Sequence, residues 1–259
     1  MHSLSTVRFR FHGDLKVFLP PTLRRKRIIP VDVQGHPAVK DTIESCGIPH
    51  TEVDAIVVGD RLKNFSYQLS GKEDIHVYSD VALLRSRPYL NHKFHRFTPL
   101  KPLPPKKGYF ILDVHLGKLA RYLRLLGFDT LYHRDWPDKE IMQRALKDKR
   151  IILTRDIGLL KNKKVQWGYF VRNVQPEKQI AEILKRFDLK TSIQPFRLCL
   201  ECNGEIGRID KKRIIKRLPP HTRAYYSAFF RCRCCRRIYW KGSHYKKLLQ
   251  RIRQIKYNV

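Results

Sequence analysis

Two close cysteine pairs, Cys199-Leu200-Glu201-Cys202 and Cys232-Arg233-Cys234-Cys235, constrain this chain more than any other feature. Two Cys-x-x-Cys knuckles supply four thiolates for a tetrahedron around Zn²⁺. The expected ligands are Cys199, Cys202, Cys232 and Cys235, with Cys234 as the spare that replaces Cys232 if the register differs. Asn203-Gly204, directly after the first pair, suits the tight turn of a knuckle. Four thiolates leave no open coordination position, so the expected role is structural rather than catalytic. Six cysteines are too few for a disulfide framework in a chain of this size, and their pairing points to metal in a reducing, cytoplasmic setting. Cys46 stands alone and reads as a helix-packing residue.

Charge limits the partners. The formal net charge is +31 over 259 residues, and a polyanion that binds such a surface releases counterions. Residues 1–105 carry a net +6, residues 106–194 a net +10, and residues 195–259 a net +15 from 18 basic and 3 acidic side chains. The densest charge therefore shares a segment with the cysteines. No apolar run of about 20 residues is present, so no membrane span is expected. The start, Met1-His2-Ser3-Leu4-Ser5, has no charged region followed by an apolar one, so no signal peptide is read.

The chain divides by pattern into four parts. Residues 1–80 read as a small α+β domain. Val7 to Phe11 alternates as a strand does. Arg27 to Val31 can pair with it, His36 to Cys46 suits a short helix closed by Gly47, and Ala55–Val58 and Asp74–Tyr78 are strands. This order resembles the ubiquitin-like grasp, especially its small sulfur-carrier branch. The carriers act through a free Gly-Gly terminus, whereas this chain runs on through Ser79-Asp80-Val81, so sulfur transfer is rejected and a docking role toward a protein partner is kept. Residues 81–108, with Pro88, Pro99, Pro102, Pro104 and Pro105 among His92, Lys93, His95 and Arg96, read as a basic Pro-rich linker.

Residues 109–194 alternate strand and helix: Tyr109–Leu112, then Leu116 to Leu126 closed by Gly127, Phe128–Tyr132, Pro137 to Asp148, Ile151–Leu153, Gly168–Val171, and Pro176 to Phe187. That alternation implies an α/β fold, a parallel sheet flanked by helices. Lys118, Arg121 and Arg124 fall off the apolar stripe of the first helix. Asp113 and Asp156 each follow an apolar strand, where ligands of open parallel sheets sit. Asp138 and Glu140 open the intervening helix and can add a third ligand. Clustered carboxylates suit Mg²⁺ or Mn²⁺, which activates water and neutralises phosphodiester charge. The same acids also suit helix capping, which leaves both readings open.

The run from Asp113 through Val114-His115-Leu116-Gly117-Lys118-Leu119-Ala120-Arg121-Tyr122-Leu123-Arg124-Leu125-Leu126-Gly127-Phe128 to Asp129 resembles the opening of the Mut-7 C-terminal RNase domain. Arg150 to Asp156 resembles its second signature, and Tyr169-Phe170-Val171-Arg172 its last core strand. The resemblance implies a PIN-like nuclease fold with a zinc ribbon, preceded by a ubiquitin-like domain. It makes Asp113 and Asp156 metal-binding acids, with Asp138 the best match for a third and Glu140 its substitute. Fuller PIN sites have a fourth acid near the end of the last core strand, where this chain has Arg172-Asn173.

Residues 195–259 then read as a zinc ribbon with a basic C-terminal helix. Lys211, Lys212, Arg213, Arg233, Arg236 and Arg237 interleave with Tyr225, Tyr226, Phe229, Phe230, Tyr239 and Trp240. Charge beside aromatics holds phosphates and stacks unpaired bases, although the aromatics also suit the ribbon's own core. Arg121, Arg124, Arg155 and Arg172 are further candidates for phosphate contact. The expected function is a divalent-metal-dependent endoribonuclease acting on RNA, with tRNA and ribosomal RNA among the candidates. The competing readings are a non-catalytic RNA-binding or ribosome-associated factor and, more weakly, a ubiquitin-like docking adaptor.

Overall fold

The computed structural model describes residues 4–79, 100–101 and 108–257. Nearly all of the expected linker, including its proline and histidine runs, lies outside them. The first strands and helix are β1 (Leu4–His12), β2 (Ile29–Gln34), α1 (Val39–Ser45), β3 (Ala55–Val58), β4 (Arg61–Lys63) and β5 (Asp74–Tyr78). Next come β6 (Phe110–Leu112), α2 (Gly117–Leu125), β7 (Thr130–Leu131), α3 (Asp138–Asp148), β8 (Ile151–Thr154), α4 (Ile157–Lys161), β9 (Gly168–Phe170) and α5 (Pro176–Arg186). The last are β10 (Ile206–Ile209), α6 (Pro220–Tyr225), β11 (Phe229–Cys232), β12 (Ile238–Trp240) and α7 (Ser243–Tyr257).

The chain forms two compact units, and residues Asp156–Phe170 belong to the first of them. Its sheet has the order β2-β1-β5-β3-β4. β1 buries Val7, Phe9 and Phe11 on one face, as its period of two requires. It pairs antiparallel with β2, Phe9 opposite Ile29, and parallel with β5, Phe9 opposite Ile75. β4 is a three-residue strand that the sequence pattern does not reveal; the Gly59-Asp60 turn folds it back on β3. Gly47 closes α1 at φ +101, and a Cβ there would lie 2.8 Å from the Phe18 carbonyl oxygen, so only glycine fits.

Residues 156–170 return to this unit and complete its core. Ile157 and Phe170 pack against the cluster built from Phe9, Phe18, Ile43 and Val53. The Phe170 ring meets the Phe18 ring edge-on at 5.2 Å. Buried Glu52 accepts the Phe170 N–H at 2.6 Å. The His50 ring lies between Glu44 Oε1 at 2.6 Å and the Val165 carbonyl at 3.0 Å. Lys161 Nζ donates to the Glu44 carbonyl at 2.7 Å. The division into residues 1–80 and 109–194 does not anticipate this return, because local pattern carries no information about which distant core a segment joins.

In the second unit β7, β6 and β8 lie side by side and parallel, Phe110 opposite Thr130 and Ile151. β6 and β8 are buried throughout, as strands covered on both faces must be. α2 turns Leu119, Ala120 and Leu123 inward and packs on α5, which buries Ile180, Ile183 and Leu184. α3 packs on β6 and β8 through Ile141 and Ala145. Gly127 ends α2 at φ +91, where any Cβ would collide with the Gln194 carbonyl.

The ribbon sheet has the order β10-β11-β12, all antiparallel. Its core is small: Ile214, Leu218 and Phe229, with Ile209, Tyr226, Ile238 and Trp240 packed around them. α7 buries Ile252 and Ile255 and packs beside α5. Two side chains join the ribbon to the β7 edge. Asn203 Nδ2 donates to Asp129 Oδ1 at 2.7 Å, and Asn203 Oδ1 accepts the Thr130 N–H at 2.9 Å. Arg124 donates to the carbonyls of Thr130, Leu200 and Glu201 at 2.9, 3.1 and 2.7 Å. Among the described residues, no helix is long and apolar enough to cross a membrane.

Candidate metal centre, acidic site and nucleic-acid interface

The ribbon brings Cys199, Cys202, Cys232 and Cys235 together, their sulfurs all within 4.8 Å of one another. Cys199 and Cys235 are 3.6 Å apart, and Cys202 and Cys232 are 3.4 Å apart. A Zn–S bond of about 2.3 Å places tetrahedral sulfurs about 3.8 Å apart, so the cage has the size that zinc needs. These four could hold a metal such as zinc, and exposed Cys234 stands outside the set. Asn203 turns the knuckle at φ +67. A Cβ on Gly204 would lie 2.9 Å from Cys232 Sγ and 2.7 Å from Cys234 Cβ, so glycine lets the two knuckles meet. The Tyr239 hydroxyl sits 2.9 Å from Cys199 Sγ and fixes it from behind. Burial raises the Cys202 pKa, but hydrogen bonds from the Gly204 backbone and from Cys232 and Cys235 outweigh it and bring the pKa to about 6. Burial pushes Cys235 up to about 12.

Asp113 leaves the end of β6 and is only 5% exposed. The Thr154 hydroxyl, at the end of neighbouring β8, donates to its Oδ2 at 2.8 Å. The parallel register of β6 and β8, Leu112 opposite Leu153, brings Thr154 to Asp113. The Asp113 side chain makes no cap bond to the turn that comes after it. Asp156 does cap: its Oδ1 accepts the N–H groups of Gly158 at 2.6 Å and Leu159 at 3.4 Å at the start of α4. Asp138 and Glu140 lie in the first turn of α3, and Glu140 pairs with Arg144 at 2.7 Å. Among the described residues the cysteines are the one group of three or more ligand side chains that could hold a metal. A carboxylate that sequence reasoning misses is Glu182, which reaches from α5 to the Arg172-Asn173 position. Its two oxygens accept the N–H groups of Arg172 and Asn173 at 2.9 and 3.0 Å, and the Asn173 amide at 2.6 Å. An acid beside the apolar Ile180–Ile183 face of α5 is the only sequence signal for it.

The basic side chains separate by burial. Arg124 is 3% exposed and directs its donors to three carbonyls, so it is not an RNA contact. The long stem lets it reach inward from a position just off the apolar stripe. Arg155 is half-buried, and its Nη1 donates to the carbonyls of Val171, Arg172 and Asn173 at 2.7, 2.9 and 3.0 Å. Arg172 is half-buried, and so is Lys211. Lys212, Arg213, Arg233, Arg236, Arg121 and Arg237 are exposed. Arg213, Arg233 and Arg236 line one cleft of about 440 Å³ together with Arg231, which opens the same basic run, and Arg208, which the sequence pattern does not single out.

Residues 108–252 match the family model described as the Mut7-C RNAse domain, more than half of the chain. The chain belongs to the Mut7-C RNAse domain family. Residues 4–84 match the model described as Mut7-C ubiquitin, so the two stand in the expected order. No curated protein and no solved structure matches the chain. The Mut7-C match runs through the ribbon into α7, so the cysteine knuckles are part of the family domain. It also contains residues 156–170, which pack with the ubiquitin-like unit. Membership gives the chain a nuclease-like, RNA-related function.

Proposed function

We propose that this Mut7-C protein is a divalent-metal-dependent endoribonuclease whose ribbon grips RNA and whose Asp113 works at the scissile phosphate. The observation that carries the reading is the Asp113–Thr154 pair: a buried carboxylate at the carboxyl end of the central strand, with one oxygen oriented by a hydroxyl. Ligands of open parallel sheets bind at such strand ends. A full acidic cage is not needed, because Mg²⁺ is commonly held by one or two carboxylates, water and the substrate's own phosphates. Bound there, the ion would activate water and offset the charge that develops on the phosphodiester. Thr154 holds the Asp113 carboxylate in one orientation, and the exposed arginines of the ribbon hold flanking phosphates. Zinc on the four cysteines serves the fold, and its reduced thiolates suit a cytoplasmic setting. Residues 1–80 share their core with residues 156–170, which weighs against a free-standing docking adaptor.

The test is cleavage of RNA by purified protein with Mn²⁺. Asp113→Asn should abolish cutting and leave RNA binding within about twofold, since phosphate contacts rather than one buried acid set affinity. Thr154→Val should slow cutting by roughly 10–100-fold, the usual loss when a group that orients a metal ligand is removed. Asp156→Asn keeps the cap acceptor and removes only the charge. If it stops cutting, Asp156 is a working acid as the family resemblance implies; if cutting is unchanged, Asp156 is a cap alone. The second reading, an RNA-binding factor without catalysis, is favoured by the net charge of +31 and by Arg172-Asn173 standing where fuller PIN sites have a fourth acid. Wild-type protein that binds RNA and cuts none would establish it.

A further inference from the structure

A cleft of about 1080 Å³ opens between the ribbon sheet and α7. It is slightly larger than the usual size range of small-ligand sites, about 300–1,000 Å³. Five aromatic rings line it: Phe196, Phe230, Tyr239, Trp240 and Tyr245. The Phe196 and Tyr245 rings lie 4.6 Å apart, tilted by 35°. Tyr239 is held by its hydroxyl contact to Cys199, and Trp240 packs on the ribbon core, so both rings have fixed supports. Arg121, Arg237, Lys241, Lys247 and Arg251 add positive charge to the same walls. The one lining acid, Glu201, is already paired with Arg121 at 2.7 Å and Arg237 at 3.4 Å. Lys241 Nζ lies 5.8 Å from the Tyr245 ring centre.

Aromatic faces inside a cationic rim match one chemistry closely: bases that are free to stack, joined by phosphates. Paired bases in an A-form helix cannot enter, because their faces are already stacked on one another. We propose that this cleft binds unpaired RNA nucleotides, so that the ribbon selects single-stranded over double-stranded RNA. The proposal rests on the RNA function proposed for the chain and adds the class of RNA and the place where its bases sit. Tyr245 and Phe230 are the stacking residues, and Lys241 with Arg251 takes the flanking phosphates. An acidic peptide would also meet the charge, but it would leave five rings without stacking partners.

The experiment uses the full chain carrying Asp113→Asn, so that RNA is bound without being cut. A 12-nucleotide RNA containing 2-aminopurine is titrated as a single strand and as a duplex at fixed salt. The single strand should bind about tenfold tighter than the duplex, with its emission quenched on binding. Tyr245→Ala should weaken the single strand about tenfold, as loss of one stacked base does, and remove the quench. Duplex binding should change less than twofold, and Tyr245→Phe should restore both signals. If Tyr245→Ala loses its metal or melts early, Lys241→Glu on the exposed rim gives the same comparison without touching the packing. Single-strand affinity and quench that survive both Tyr245→Ala and Phe230→Ala would overturn the cleft assignment while leaving the RNA reading intact. So would a polyglutamate peptide that binds only when Tyr245 is present and does not compete with RNA. A wild-type ribbon that binds neither RNA form sinks the RNA reading itself.

Discussion

Cys202→Ser will strip the chain of its metal and unfold the ribbon, while Cys234→Ser will leave both in place. The ribbon has little else to hold it: three side chains, Ile214, Leu218 and Phe229, are its fully buried core. Structural zinc binding is worth about 10–16 kcal/mol at neutral pH in small zinc modules, far more than such a core supplies. The Cys202 thiol is brought down to a pKa of about 6, and its backbone bond from Gly204 is part of the knuckle turn. Serine keeps the shape and loses the soft ligand. The aromatic cleft and the arginine cleft are both built on the ribbon, so RNA affinity should fall more than tenfold with the metal. Metal content by mass spectrometry and the near-ultraviolet dichroism of Trp240 and Tyr239 read the two effects. Zinc affinity should also drop as pH falls, because protons compete for every thiolate and Cys235 gives up its proton only against a raised pKa. A Cys202→Ser protein that still carries one zinc per chain would contradict the ligand assignment.

Removing residues 1–79 should leave the remainder unable to fold cooperatively. The reason is the return of residues 156–170, whose apolar groups Ile157, Leu159, Leu160, Val165 and Phe170 are packed within the first unit. Deletion exposes that surface and also removes Glu52 and His50, which satisfy the Phe170 N–H and the Val165 carbonyl. A gentler form of the same test is Phe18→Ala. Phe18 is 8% exposed and touches Phe170, so the change should cost about 3–5 kcal/mol, as large-to-small core substitutions do. Calorimetry and protease resistance of the Asp156–Phe170 segment measure the outcome. A truncated protein that melts as sharply and at the same temperature as the full chain would show that the segment does not depend on this core.

Much of the fold is legible where the signal is local. The alternation of Val7, Phe9 and Phe11, the apolar runs of β3 and β8, the glycines that end α1 and α2, and the spacing of the four cysteines each imply their own structure. The features that escape a sequence reading depend on distant partners. Arg124 looks exposed because it sits beside Leu123, yet its guanidinium finds carbonyls at Leu200 and Glu201. Arg155 ties down the chain from Val171 to Asn173 through its Nη1, a role that its sequence position does not announce. Thr154 faces Asp113 because of strand register, which no window of sequence states. The acids at helix starts are ambiguous between capping and metal binding, and Asp156 does cap.

The detour of the chain through residues 156–170 sets a timetable for a growing polypeptide. The ubiquitin-like sheet is fully synthesised once Tyr78 has been added, but Ile157 and Phe170, which pack against its hydrophobic cluster, follow only when about 90 further residues are made. At translation speeds of about 5–20 residues per second the nascent unit waits roughly 5–18 s with an open apolar side. The N-terminal module therefore gains its last packing partners well after its own strands are made. Its apolar side is covered once the segment that follows the second aspartate signature joins it, which couples the maturation of the two family segments.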